Sequence, residues 1–557
     1  MRMSVTNLTR KGVSKGKDVI ADEFGVMPLA NHFKKGECMM KKTLIVVSFG
    51  LFLAMAVSST YAYESFYGPT GLIYWDKEKA YNGYSQIGGY LIDMEGNICA
   101  QGVRGQIFED GTSYGTGGME FAYYDKDGKV IFDLEETRPE HHPHHSSKLI
   151  YNKKLKQHTV IYVSNKDYSH DEIIAAGAEP SWAGGGRYEG AQMDCLVERD
   201  KNNDVVWEWC FYDHLIQDRF PDKDNYVEKG KKISDYPGKF DINWGATVRR
   251  DWNHVNAVDY NPDSGHIVFD QVSGEGWIID HDGTFVAGNP KKSLELAASD
   301  KGDFLWRFGD PAMYQQGERP KIDERHWITY STGHKELGGV HDAQFIKKGL
   351  PGAGNILFFN NGQYLYDRLP QSNVREINPF IAGIDEKTGK PIISKNYVNP
   401  PDAGYHMMVV PRSFRQRVSQ RVSNQTVWAF HPMMSSGFLT DNGGNCIRLP
   451  NGNTIASGKT EGHWVEVTVE GEVVWEFINP VFRDGVRKIS KPGDLDMHSA
   501  GRIYRYEPDH PGLKARNMDL KPLGTFFELA AKGQIRLPKG KGDKGGKGGK
   551  GGKGGKK

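Results

Sequence analysis

Short runs of alternating apolar and polar residues recur along this chain, and each run meets a tight-turn signal. "YLIDMEGNICAQ", "AYYDKDGKVIFDL", "LVERDKNNDVVWEW", "WIIDHDGTFVAG" and "VEVTVEGEVVWEF" share one plan: an alternating run, an acidic or Gly-containing turn, then a second run. "GIDEKTGKPIISKNY" is a looser copy. Period-two alternation is the pattern of a half-buried strand, and glycine supplies the positive φ that hairpin turns need. A turn feeding a further strand often precedes the hairpin, as in "NPDSGHIVFD", "PGAGNILFFNNG" and "LPNGNTIASGKTEGHWVEV". Each combination makes a unit of roughly four strands, and about six such units fit between Gly68 and Arg505. Only "SHDEIIAAGAEP" and "NPKKSLELAASD" read as short capped helices. The pattern predicts an all-β fold, a six-bladed β-propeller with loop insertions; seven or eight blades are the alternatives.

The ends break this pattern. Residues 1–39 are polar and aperiodic and read as an upstream extension that is not native. Residues 40–62 have a basic start (Lys41, Lys42), an apolar run from Leu44 to Val57, and Thr60-Tyr61-Ala62 before a cut. That is the layout of a secretory signal peptide. The expected start codon is therefore Met39 or Met40, and the expected mature N-terminus is Tyr63. Residues 63–538 form the propeller domain. Residues 539–557, a Gly/Lys repeat, hold nothing to bury and are expected to be disordered. Such a chain is exported, most simply to a bacterial periplasm, with no stable membrane insertion of the mature chain.

Composition adds less. Lys and Arg total 71 against 70 Asp and Glu, so the +1 balance implies no attraction to nucleic acid. The high counts of Gly (67), Tyr (26) and Trp (12) suit many turns and half-buried strands. Of five cysteines, Cys38 falls upstream; Cys99, Cys195, Cys210 and Cys446 remain, an even number that permits disulfides in an exported chain. Cys195 and Cys210 flank the turn "DKNND" symmetrically and would face each other across a hairpin. Cys99 and Cys446 lie in the first and last repeats, where a bridge would lock the ring. Free buried thiols are the alternative for either pair.

Histidine is the residue type with most chemistry to offer. "RPEHHPHHSSKLIY" packs His141, His142, His144 and His145 together, whereas His254, His341 and His463 stand singly near the starts of blade repeats. Equivalent places in successive blades point toward one axis, so these three are candidates for one pocket. Neutral imidazole can act as a nucleophile, move a proton or stabilise developing charge. No GxSxG or phosphate-binding loop occurs. Three histidines could hold zinc or copper, but no carboxylate–histidine pattern in the sequence favours it, so neither a metal nor another cofactor is assigned.

At these residues the sequence resembles the bacterial arylsulfotransferase family. "GLIYWDKEKAYNGYSQIGGYLIDMEGN", "VVWEWCFYDHLIQD", "RRDWNHVNAVDYNPDSGHIVFD", "VHDAQFIKKGLPGAGNILFFNNG" and "CIRLPNGNTIASGKTEGHWVEVTVEGEVVWEF" carry the resemblance, from about Gly68 to Gly512. It implies a periplasmic six-bladed propeller that moves a sulfuryl group from a phenolic sulfate ester to another phenol without PAPS. The route it implies is ping-pong, through a sulfated histidine. His463 falls at the family's nucleophile, and His254 and His341 match its pocket histidines. Asn361 of "FFNNG" and His142 are implied substrate-binding residues, with His141 beside the latter. The family's sulfate-binding arginine has no aligned equivalent: Arg368 and Arg375 are the nearest. His498 and Arg502 in "DMHSAGRIYRYEPDHPGL" are the candidates to replace it. The expected partners are a small phenolic sulfate donor and a phenol acceptor; a homodimer is left open. The insertions "QQGERPKIDERHWITYSTGHKELGG" and "HMMVVPRSFRQRVSQRVSNQ" are expected to shape the pocket. Two other readings compete: a non-catalytic propeller binding a ligand or protein, and a metal- or quinone-dependent oxidoreductase.

Overall fold

The computed structural model describes residues 69–537 apart from 104, 116–121, 134–141, 181–189, 245–251, 319–320, 323–327, 330–332, 363–371, 412–416, 432–439, 441, 483 and 490–500. The upstream extension, the signal-peptide segment and the Gly/Lys tail, like His141, Arg368 and His498, lie outside the described residues.

Six antiparallel sheets follow one another as blades. From the axis outward, blade 1 is Ile503–Tyr506, Tyr84–Ile87, Tyr90–Ile92 and Asn97–Gln101, edged by Gly524–Thr525. Blade 2 has three strands, Ser113–Gly115, Ala122–Tyr124 and Val130–Asp133. Blade 3 is His142–Asn152, Gln157–Tyr168, Ala191–Arg199 and Val205–Cys210; blade 4 is Val255–Asn261, His266–Gln271, Glu275–Asp280 and Trp306–Phe308. Blade 5 is Val340–Phe345, Ile356–Asn360, Asn373–Ile377 and Thr426–Phe430. Blade 6 is Asn445–Arg448, Thr454–Gly458, His463–Val467 and Val473–Ile478, with Gly71–Trp75 added at its outer edge.

What makes this a ring is the set of apolar layers between blades. Leu91 and Tyr506 meet Ile107 and Leu513 between blades 1 and 2. Tyr114, Tyr123 and Phe132 meet Val160, Tyr162 and Val197 between blades 2 and 3. Trp207 and Trp209 face Phe269 and Trp277, and Trp306 and Phe308 face Phe345 and Phe358. Phe359 and Val374 face Ala456 and Val465. Trp464, Trp475 and Phe477 close the circle against Ile87, Ile92 and Ile503. Each blade shows both of its faces to a neighbour, so a second strand such as Ile356–Asn360 is buried along its whole length. Closure is by strand exchange at both ends: Gly71–Trp75 pairs with Val473–Ile478, and Ile503–Tyr506 pairs with Tyr84–Ile87. These two pairings join blade 6 to the first described strand and blade 1 to a late one, which closes the ring.

Several sequence expectations meet the structure here. Cys195 and Cys210 are register partners across the predicted hairpin and are bonded. Closing that loop of separation 15 is worth about 3 kcal/mol by chain entropy. The candidate Cys99–Cys446 bridge does not form: both are free and buried. Cys446 sits on the innermost strand of blade 6 and Cys99 on the fourth strand of blade 1, so they lie at different radii. Both helices form as His170–Ala175 and Pro290–Ala297, the first with the Ser169–Glu172 capping box. "WIIDHDGTFVAG" is not a hairpin: the strand ends in a one-turn helix, His281–Thr284, because Asp280 caps Gly283 N and His281 is drawn to Glu198 of blade 3. "GIDEKTGKPIISKNY" does pair as a hairpin, but as an insertion after the third strand of blade 5 and not as a blade. Among the described residues no helix is long and apolar enough to cross a membrane.

Candidate functional site

His254, His341 and His463 come to the same end of the propeller. Backbone bonds tie the first two: Val272 N donates to His254 O, Gly339 N donates to Val272 O, and the His341 ring donates from Nδ1 to Gly339 O at 2.9 Å. A side-chain thread continues toward the third. His341 Nδ1 also donates to Asn361 Oδ1 at 2.8 Å. Asn361 Nδ2 donates to Thr440 O and Gly443 O, each at 2.8 Å. Thr440 Oγ1 accepts from Thr460 N at 3.0 Å, three residues before His463.

This thread decides a protonation state. Both partners of His341 Nδ1 are acceptors, and Asn361 cannot flip because its NH2 is held by two carbonyls. Nδ1 therefore carries the proton and Nε2 carries the lone pair. Burial first lowers the His341 pKa below its usual value, against the two hydrogen bonds, and Lys459 and His254 lower it further. His341 is thus a neutral imidazole with a basic Nε2. Asn361 is buried, its NH2 held by two carbonyls and its Oδ1 by His341, so its amide fixes the His341 tautomer.

His463 opens its strand in blade 6 opposite Ile478, which places Glu476 on the same face, diagonally across the hairpin. His463 Nε2 donates to Glu476 Oε1 at 2.7 Å. In the neutral ring this puts the lone pair on Nδ1, the arrangement that activates and orients an imidazole nucleophile.

Across the axis the dense cluster is part of the same end. His144 Nε2 meets Asp194 Oδ1 at 3.1 Å, His144 Nδ1 meets His145 Nδ1 at 2.7 Å, and His145 Nε2 meets His254 Nε2 at 3.1 Å. His145 is exposed, yet both rings turn toward His254. Burial, then His254, His144, His341 and Lys459, push His145 down to about 2, so it stays neutral. His142, at the start of the same strand, is exposed.

Arg502 lines the axial channel with Ser147, Tyr114, Tyr504 and Asp342, and its guanidinium is 3.9 Å from Asp342. Burial would lower its pKa, but Asp342 and Tyr504 outweigh this and raise it. Arg375 is unavailable to a ligand: it is buried, paired with Glu336 at 2.9 Å and donating to Gln420 at 2.9 Å. Glu336 and Gln420 come from the two predicted insertions, which here meet each other through Arg421 and His334 at 3.1 Å. Sequence reasoning missed Glu476, Asp194 and Lys459. The first was readable from the register of "HWVEVTVEGEVVWEF" and the last from the turn "SGKTEGH"; Asp194 carried no local signal.

Residues 108–379 match the family model described as arylsulfotransferase (ASST). His144, His145, Asp194, His254, His341 and Asn361 fall inside that stretch, and His463, Glu476 and Arg502 outside it. No curated protein matches. Among solved structures, a Bacteroides caccae protein of unknown function is 8% identical, covering 76% of this chain and 99% of its own, with a TM-score of 0.32. The Cps50 (Swd1) β-propeller domain of Myceliophteria thermophila is 9% identical, covering 80% and 98%, with a TM-score of 0.25. Virginiamycin B lyase of Staphylococcus aureus is 9% identical, covering 60% and 74%, at 0.19. Likenesses this slight carry no argument.

Proposed function

Over residues 108–379 this chain belongs to the arylsulfotransferase family, and from that premise we propose that it moves a sulfuryl group from an aryl sulfate ester to a phenol, without PAPS, by a ping-pong route through sulfated His463. In the first half-reaction the lone pair of His463 attacks sulfur, an N–S bond forms, and the ester S–O bond breaks. The leaving phenolate takes the electron pair of the broken bond and a proton that solvent supplies by way of His254. In the second half, the basic Nε2 of His341 accepts the acceptor's phenolic proton, the new S–O bond forms, and the N–S bond breaks. Glu476 holds the His463 ring and offsets the charge it gains. Lys459 and Arg502 supply positive charge for the sulfuryl oxygens in place of the missing arginine. His142 and His498 complete the proposed substrate-binding set.

The observation that supports this best is the His463–Glu476 pair at 2.7 Å on the end that also holds neutral His341. The test is p-nitrophenyl sulfate with phenol: nitrophenolate release should require both the acceptor and His463, and added PAPS should change nothing. Release that is unaffected in His463→Asn would overturn the assignment.

A second reading, a propeller that only binds a ligand, is favoured by one observation: Arg375 is locked on Glu336 and serves no sulfate. A folded wild-type protein inactive across a broad donor and acceptor panel would establish that reading instead. Export to a periplasm is supported by the Cys195–Cys210 disulfide, which persists in oxidising compartments; N-terminal sequencing of the mature protein, expected to start at Tyr63, tests it.

A further inference from the structure

The dense histidine cluster is built at a structural cost that sulfuryl transfer through His463 does not explain. On a regular strand, adjacent side chains point to opposite faces. His144 and His145 instead share one side. Between Pro143 and Ser147 the inner strand of blade 3 takes four steps while its neighbour takes two, from Ser164 to Tyr162. Within that bulge His145 has φ 54°, the left-handed region that a β-carbon disfavours. Bulges and strained residues of this kind concentrate where a side chain must be re-aimed. Here the bulge aims two rings at His254, and the ring centroids of His145 and His254 are 4.3 Å apart.

The His144 ring is anchored by a carboxylate. Asp194 is buried, and it is itself held by Val255 N and Asn165 Nδ2, each at 2.5 Å. Its Oδ1 accepts from His144 Nε2, which leaves Nδ1 of that ring as the lone-pair nitrogen on the side of its two partners. A carboxylate on one imidazole nitrogen, with the other nitrogen turned to a cluster of imidazoles, is the second-layer arrangement of histidine metal sites. One nitrogen from each of His144, His145 and His254 lies within 4.8 Å of the others. Ligand nitrogens around a tetrahedral ion at ~2.0–2.1 Å stand roughly 3.3 Å apart, so a modest closure of the rings completes the set. Solvent reaches the cluster through exposed His145.

We propose that His144, His145 and His254 bind one zinc ion, with Asp194 as the positioning residue for His144. Three imidazole nitrogens, no thiolate and a fourth position open to water match zinc better than a hard cation such as magnesium or calcium. In the metal-free form the same nitrogens satisfy one another by hydrogen bonds, which zinc replaces without net loss of ligand protons. The readout is bound metal and not turnover, so the result does not depend on the sulfuryl-transfer reading, although zinc on His254 would take that ring out of its proton relay.

The experiment is titration of the purified metal-free protein with zinc alone, followed calorimetrically and by metal analysis after gel filtration. One equivalent should bind with micromolar or tighter affinity. His145→Gln and His254→Gln should each weaken it at least about tenfold, and Asp194→Asn by about 10–100-fold. His142→Gln, a neighbouring exposed histidine, should leave it unchanged. Circular dichroism confirms that each variant is folded, and exposed His145 is the position whose replacement disturbs packing least. Folded wild-type protein that binds no zinc overturns the proposal. So does a His145→Gln/His254→Gln double variant that keeps the equivalent at wild-type affinity.

Discussion

His281 and His463 each hold a glutamate by a ring nitrogen, at 2.8 and 2.7 Å, yet they stand in opposite settings. His281 is wedged between blades 3 and 4 with 1% of its side chain accessible, and its partner Glu198 has none. Its second nitrogen is taken by Asp282 at 2.9 Å, and Asn152 and Thr159 use the remaining capacity of Glu198. Nothing is left to meet a substrate. His463 lies at the axial end and Glu476 keeps 28% of its side chain accessible. The lesson is that a histidine–carboxylate pair is a structural clamp when every polar atom is used and buried, and is open to chemistry only where one partner keeps solvent access. Distance alone does not separate them.

The sharpest way to break the comparison is to exchange the two phenotypes. His463→Asn should lower transfer about a thousandfold or more while leaving the melting temperature near wild type; assay and calorimetry on one preparation check both. His281→Ala should do the reverse. It strands the buried Glu198 charge, so stability should fall by about 3–5 kcal/mol, measured by urea unfolding, while folded protein keeps its turnover.

Glu476→Gln sharpens the contrast at a smaller scale. An amide still fits the site but no longer favours the charged ring, so kcat should fall roughly 10–100-fold with KM little changed.

The pH responses should also part. Burial depresses the His281 pKa, but Glu198 and Asp282 outweigh it and hold the group at about 9. A raised folded-state pKa gives stability that is fully present below the unfolded value of ~6.5 and is lost as pH rises through about 9. Unfolding free energy measured from pH 6 to 10 should therefore decline, and His281→Ala should flatten that decline. At the axis the sign is opposite: His341 is held below its usual pKa by burial, so the acid limb of kcat/KM should fall below pH 6.5.

Much of the frame was readable because hairpin chemistry is local. "DKNND" forms its turn where the spacing of Cys195 and Cys210 places it, and the Asn289 and Ser169 caps start helices where their sequences say. Ring closure was not readable. Gly71–Trp75 pairs with a strand about four hundred residues away, and such a partner leaves no trace in the local alternation. The same limit explains Cys99 and Cys446, whose radii depend on which strand of its blade each occupies.

For the site, repeat position brought His254, His341 and His463 to one end, but two features hid the rest. Period-two reasoning sends adjacent His144 and His145 to opposite faces, and only the bulge overrides it. Asn361, expected to touch a ligand, instead spends its amide on His341, Thr440 and Gly443. That reassignment came from the third dimension, since no spacing rule tells a ligand-binding amide from one that fixes a tautomer.

The central claim is that sulfur passes through His463. Mixing stoichiometric p-nitrophenyl sulfate with enzyme and no acceptor, then digesting and sequencing by mass spectrometry, tests it directly. The account predicts a burst of one nitrophenolate per protein and one SO3 on the imidazole of His463, discharged on adding phenol. A burst with the label on another residue, or release that needs acceptor from the first turnover, would contradict it.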